Sequence, residues 1–167
     1  MSDALGGVSI RAARTADLPA VIGLWRELQD LNAAFDPRLA LSAAAADWFL
    51  TYLGDQLDNP HAAVLVAEHE AFVVGYTFGQ IMRRPTLQSG DCGYVADVCV
   101  RDGWRSKGIG RRLHDRLRAW FLAHGITDVE VQVVRANPAS QAFWRKMGYG
   151  DFLRTLRAAF GPQERQP

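Results

Sequence analysis

Arg105-Ser106-Lys107-Gly108-Ile109-Gly110-Arg111-Arg112 follows a strand-like stretch, 94–100, and opens an amphipathic helix. A basic, glycine-bearing loop at a helix N-terminus is suited to phosphate. The first N–H groups of the helix have no partner inside it, and the helix dipole adds partial positive charge there. Gly108 and Gly110 carry no Cβ, so the backbone can come close to a ligand. Behind the loop, Ile109, Leu113, Leu117, Trp120 and Phe121 recur at helical spacing, and Gly125 is placed to end the helix.

Working outward, residues 8–11 read as a first strand. Asp17 reads as an N-cap with Pro19 in the first turn, and Leu18, Val21, Ile22, Trp25 and Leu28 form one helical face. Asp36-Pro37 disfavours helix, so 32–38 is expected to be a loop. Ser42 is expected to cap a second helix with the stripe Ala45, Trp48, Phe49, Tyr52 and Leu53, stopped by Asp58-Asn59-Pro60. Residues 62–68 and 72–81 form a hairpin through His69-Glu70-Ala71, and 83–91 is a loop before the strand 93–100. Val129, Val131 and Val133 alternate with Glu130 and Gln132 in the next strand. Asn137-Pro138 starts a short helix that Gly148 ends, and 152–157 is expected to be a last strand. These elements make one α+β domain over 1–167, with its core at about 8–157 and short flexible ends.

Composition sets outer bounds. The 167 residues are 49% hydrophobic and 22% charged, with no apolar run near the roughly 18 residues of a membrane span. Residues 1–7 show no secretory signal pattern, and Cys92 with Cys99 provides neither a disulfide framework nor a zinc site. A cytoplasmic location, no metal and no membrane partner are the expectations. Net charge is +1, but 101–118 alone carries +5 and leaves −4 elsewhere. One local basic patch on a near-neutral domain fits a small polyanion better than nucleic acid.

Three phosphate ligands compete. A Walker-type loop needs G-x-x-x-x-G-K-[ST], which the chain lacks. A dinucleotide turn needs a third glycine where Leu113 stands, and Glu130, at the right count for its acid, starts a strand instead of ending one. The third reading explains more residues. Arg105-Ser106-Lys107-Gly108-Ile109-Gly110 resembles the acyl-CoA signature [QR]-x-x-G-x-[GA] of the GNAT superfamily of N-acetyltransferases. Residues 137–149 are similar to its second signature, N-x-x-A-x-x-F-[YW]-x-K-x-G-[FY].

That resemblance implies a central, twisted, mixed sheet of six or seven strands, splayed in the middle and flanked by about four helices. The splay would lie between the strand ending at Val100 and the strand 128–134. Acetyl-CoA would lay its pantetheine arm there, against backbone groups of Val98, Cys99 and Val100. Its pyrophosphate would sit on the amides of Arg105, Ser106, Lys107, Gly108, Ile109, Gly110 and Arg111, with Asn137 bonding the arm and Trp144 near the thioester. The implied reaction moves acetyl directly to a primary amine of a small molecule, with a homodimer allowed. A silent acyl-CoA sensor and a protein N-acetyltransferase are the alternatives.

Three residues are nominated for the chemistry. Asp97, the one acid of an otherwise apolar strand, is the candidate proton acceptor, directly or through water; the alternative is that it orders the strand or holds the substrate cation. The Val98 N–H, or a neighbour's, is the implied oxyanion donor. Tyr94 either hydrogen-bonds near the acceptor or packs. Relatives often carry Tyr where Trp144 stands, and an indole cannot protonate a thiolate, so packing is the expectation for Trp144. Cys99 and Tyr149 read as core and His114 as a solvated helix residue. Arg111 and Arg112 stand near enough to the helix start to reach phosphate. The acceptor side is nominated by position: 32–38, Trp48, Tyr52 and 83–88. There Asp36 could hold an amine, and Arg83 and Arg84 an acid group, while Trp48 and Tyr52 equally suit a core.

Overall fold

The computed structural model describes residues 7–158; the ends expected to be flexible lie largely outside them. In chain order the elements are β1 (Val8–Ala12), α1 (Leu18–Phe35), α2 (Ala45–Gln56), β2 (Ala62–His69), β3 (Phe72–Met82), β4 (Cys92–Val100), α3 (Ile109–Ala123), β5 (Val129–Val131) and α4 (Pro138–Lys146). Among the described residues the sheet has five strands in the order β1-β2-β3-β4-β5. β1 to β4 pair antiparallel, and β5 joins β4 in parallel after the α3 crossover. The mixed, open α+β sheet is as expected, with fewer strands than six or seven. Among the described residues, 152–157 pair with no strand, and Phe152, Leu153 and Leu156 are 72–80% exposed. Their alternation supplies a strand pattern, but a strand needs a neighbouring backbone to pair with.

Helices cover both faces. On one, Leu18, Val21, Leu24 and Trp25 of α1 and Phe49 and Leu53 of α2 pack against Val64, Val66, Tyr76, Phe78 and Cys99. Beneath the other, Ile109, Leu113, Leu117 and Phe121 of α3 meet Ala63, Leu65, Val74 and Val95, with Trp144 of α4 beside them. Full burial of a Leu or Phe side chain stabilises by about 1.5–3 kcal/mol, so these two layers dominate the fold. Arg11 of β1 binds Asp17 (2.6 and 2.8 Å) and Glu68 of β2, tying the start of α1 to the sheet edge.

Four local expectations change. α1 runs to Phe35 and is followed by a 3₁₀ turn at Pro37–Leu39, so the expected loop at 32–38 is mostly helical. The pre-proline restriction falls on Asp36 alone, which is extended (φ −147°, ψ 105°) and lets the helix persist up to it. Ser42 does not cap α2 with its hydroxyl; its carbonyl accepts the Ala45 N–H at 3.1 Å, and Ala44 is the cap position. Asp17 stands at the N-cap of α1, yet its carboxylate serves Arg11 and the Arg14 N–H (2.7 Å). Trp48 is 65% exposed, because Phe49 and Leu53 already fill the face of α2 that meets the sheet.

Two glycines mark where α3 presses closest on the sheet. A Cβ on Gly93 would stand 2.7 Å from the Phe121 ring, and one on Gly79 would stand 2.9 Å from Leu117. Both partners are buried and cannot swing away. Gly93→Ala is therefore expected to destabilise the protein by about 1–3 kcal/mol through overpacking. Gly23→Ala, on α1 with nothing within 4 Å of the new Cβ, should stabilise it by about 0.5–1 kcal/mol. Urea titration of the two variants checks the pair; equal midpoints would contradict the packing argument.

Candidate active site

The site begins with an irregularity in β4. Phe78 of β3 pairs with Asp97 and Gly79 with Val95, so Ala96 is an extra residue, a β-bulge. Ala96 packs with the α1–α2 layer, as Cys99 does, whereas Val95 and Val98 face α3. The bulge thus places Ala96 and Asp97 in succession on the α1–α2 side. β5 follows β4 only along Gly93, Tyr94 and Val95 and then leaves it. From the bulge onward one side of the β4 backbone has no strand beside it among the described residues, which is the expected splay.

Which backbone groups face that gap follows from the ladder. The Arg101 N–H donates to Val74 O across β3 at 2.9 Å, so alternation turns Cys99 toward β3 as well. Val98 and Val100 then point their N–H and C=O groups the other way, into the splay. The Val100 carbonyl there accepts the Arg105 Nε–H at 2.9 Å. This bond ties the basic loop to the strand that feeds it.

Asp97 is buried, and burial raises its carboxyl to about 6. The Tyr76 hydroxyl stands near enough to hold the rise back, without being aligned for a hydrogen bond. The Asp97 carbonyl accepts the Thr77 hydroxyl at 2.8 Å, which fixes the backbone at the bulge. Burial also raises the Tyr94 hydroxyl, helped by the charges of Asp97 and Glu130, so Tyr94 stands on the Asp97 side of the splay. Cys99 is buried, donates to Leu24 O at 3.3 Å and is pushed up to about 12 by burial, the profile of an inert core thiol.

The loop ahead of α3 turns through the left-handed region at Gly103 (φ 78°), Ser106 (φ 61°) and Gly108 (φ 82°), with Gly108 as the α3 N-cap. Ser106 holds this conformation without being glycine, a departure that clusters at functional sites. The first α3 turn bond runs from the Arg112 N–H to Gly108 O at 3.1 Å, so the amides of Ile109, Gly110 and Arg111 precede it. Residues 105–108 are exposed, and Lys107 lies 4.9 Å over the Trp104 ring. A Cβ on Gly110 would be 3.4 Å from Phe143 of α4 and 3.7 Å from Val100, which brings loop, strand and α4 together. Arg112 donates to Val8 O at 2.8 Å and is committed to β1. Arg111 remains on the exposed side near Asp115 (3.6 Å).

α4 gives the other wall. Asn137 is buried and caps α4, its Oδ1 accepting the Ser140 N–H at 3.0 Å, which leaves its NH₂ group as the remaining donor. Trp144 is buried edge-on against Phe143, His114 and Tyr149, which is packing. His114 departs from expectation: it is 5% exposed, with Nε2 3.2 Å from the Tyr149 hydroxyl and burial lowering its pKa. Its place beside Leu113 in α3 gave no sign of this, because the covering residues come from α4 and the turn after it.

The ions nominated for the acceptor side are each held by an oppositely charged partner. Arg84 grips Glu130 of β5 with both Nη atoms (2.7 and 2.8 Å), Arg83 pairs with Asp91 (3.0 Å), and Arg38 grips Asp36 (2.8 and 2.6 Å). Tyr52 reaches Gln80 through its hydroxyl and carries the exposed Trp48 stacked on it at 5.1 Å. An open cleft of about 520 Å³ lies between Phe35, Asp36, Pro37 and Arg38 on one side and 134–136, the chain leaving β5, on the other. No cluster of metal-ligating side chains occurs among the described residues, and no described helix is long and apolar enough to cross a membrane.

An L-2,4-diaminobutyric acid acetyltransferase of Nocardia farcinica is 30% identical over 144 residues; the match spans 86% of this chain and 65% of that protein, so the chain spans less than two thirds of the relative's length. A GCN5-related N-acetyltransferase from Ralstonia eutropha superposes with TM-score 0.77 at 21% identity, over 93% of this chain and 100% of that one. A predicted acetyltransferase of Clostridium acetobutylicum, solved with acetyl-CoA, gives 0.75 at 16% identity over 91% and 96%. The model of the acetyltransferase (GNAT) family matches residues 25–149, the span that holds β4, the left-handed loop and α4, and the chain belongs to that family.

Proposed function

We propose that this protein transfers the acetyl group of acetyl-CoA directly to a primary amine of a small molecule. The observation that carries the reading is the gap beside β4, which has the buried Asp97 at one end and the left-handed basic loop at the other. The residues suit the donor. The amides of 106–111, with Arg105, Lys107 and Arg111, would hold pyrophosphate, and the Val98 and Val100 backbone with the Asn137 NH₂ would hold the arm. Acetyl-CoA supplies an activated acyl group whose carbonyl gains negative charge as an amine attacks. The Val98 N–H is the donor aimed into the splay to receive that charge. The diaminobutyrate acetyltransferase relative supports a small amine as acceptor.

An alkyl ammonium has pKa ~10, so about one molecule in a thousand is neutral at pH 7. In this reading Asp97 takes its proton, directly or through water. At about 6 it is still mostly ionised at pH 7, and its rise from 3.8 narrows the gap to the ammonium by about 3 kcal/mol. Trp144 provides no acid for the departing thiolate. If that thiol resembles cysteine at pKa ~8.5, the shortfall at pH 7 is about 2 kcal/mol, within reach of water.

Two measurements test the reading. Acetyl-CoA at about 100 times its Kd adds about 2.7 kcal/mol, so the melting temperature should rise by roughly 5–10 °C, with no rise from NAD or ATP. Asp97→Asn should lower kcat/KM by about 10²–10⁴-fold and remove the fall in rate below pH 6. The same variant should be more stable than the native protein at pH 8. Native Asp97 holds its proton more tightly folded (about 6) than unfolded (3.8), so its contribution to stability falls as pH rises between those values. The gain should approach about 3 kcal/mol at pH 8 and vanish below pH 4. An Asp97→Asn variant with native rates and an unchanged pH profile would remove the base assignment, while tight acetyl-CoA binding with no amine acetylated would favour a sensor.

A further inference from the structure

We infer that the acceptor amine also carries a carboxylate, received at the cleft between the end of α1 and the segment after β5 by Arg135 and Arg38, with Arg157 adding positive charge nearby. The inference rests on the acetyl-transfer reading and names the acceptor class of that same site. Its basis is the charge gathered at one opening. Arg38 and Arg135 line the cleft from opposite sides, and Arg157 stands close enough for its charge to act on Asp36. Asp36 is the single acid lining it, and Arg38 with Arg157 lowers it to about 2, so it stays ionised at any working pH. Three guanidiniums against one carboxylate leave the mouth at +2, on a chain whose whole formal charge is +1.

The ion pair inside the cleft also has a geometric effect. Asp36 accepts from Arg38 at its backbone N–H (3.1 Å), Nε (2.8 Å) and Nη2 (2.6 Å), which holds the guanidinium in one orientation and leaves Nη1 as donor. Opposite, the Arg135 carbonyl accepts the Gln141 Nε2–H at 2.6 Å, so α4 pins the segment that carries it. The Arg135 and Arg157 guanidiniums form no ion pair among the described residues. A planar, charged fork with open donors is the group that matches a carboxylate in two bonds at once. Phe35, Pro37 and Val134 supply apolar wall for a short methylene chain, and about 520 Å³ lies within the range of small-molecule sites. An acceptor with many positive charges and no acid would meet repulsion at the same mouth.

The test uses amines that differ only by the carboxylate: lysine against cadaverine, and ornithine against putrescine, with acetyl-CoA and the full chain. The native protein should favour each amino acid at least tenfold in kcat/KM, through KM, and the preference should shrink as salt rises. Arg135→Gln should raise KM for the amino acids about tenfold, leave KM for the diamines unchanged and leave kcat within twofold for both; Arg135→Lys should recover part of the loss. Equal use of both members of each pair, or a loss in Arg135→Gln shared by both, would overturn the inference while acetyl transfer stands. Calorimetric titration of the same pairs separates the two readings. Carboxylate-dependent binding that Arg135→Gln abolishes supports the inference even if no acetyl group moves, in which case the transfer reading alone fails.

Discussion

A strand must alternate its side chains between two faces and its backbone groups between two neighbours, and the one extra residue Ala96 breaks that rule where the site needs it broken. Without the bulge, Asp97 would change faces and lose its place beside Tyr76 and Tyr94. Without the departure of β5 after Val95, the N–H groups beyond the bulge would be consumed by a ladder. The two irregularities are adjacent. Together they convert an ordinary sheet interior into a slot lined by backbone donors, with an acid at its end.

Much of this was legible in the sequence because it depends on local chemistry. The loop at 105–111 and the helix behind it read correctly: glycine at left-handed positions, amides at a helix start and a 3.6-residue apolar stripe are all short-range signals. Asn137-Pro138 announced α4 for the same reason, its side chain bonding the amide three residues on. The splay was expected from the resemblance, and the register bears it out. What failed depends on partners distant in the chain. His114 is hidden by α4 and Tyr149, Trp48 is left out because its neighbours fill the interface, and 152–157 finds no backbone to pair with among the described residues. Asp36 misled differently, because its proline constrains one residue and not the turn before it.

Electrostatics divides the molecule into two regimes. The acid at the centre is dry and basic beyond its ordinary range, a condition that costs stability and that the proposed acetyl transfer would use for proton acceptance. Arginines near the β4–β5 gap and the cleft are more exposed, and two are held in a fixed direction by a carboxylate: Arg38 by Asp36 and Arg84 by Glu130. In water such pairs add little stability. Their effect here is orientation, since a guanidinium fixed on one side presents its remaining donors on the other.

The short seam between β4 and β5 also bears on how the chain assembles. β2, β3 and β4 are consecutive neighbours, so their pairing closes short loops. β5 can dock only after α3 has crossed the sheet, and it gains a ladder along Val129–Val131 alone. β5 is therefore held to the sheet by the shortest ladder among the described strands. If acetyl-CoA lies in this gap as proposed, it would take the place of the strand backbone the sheet lacks and secure the seam that has the shortest ladder.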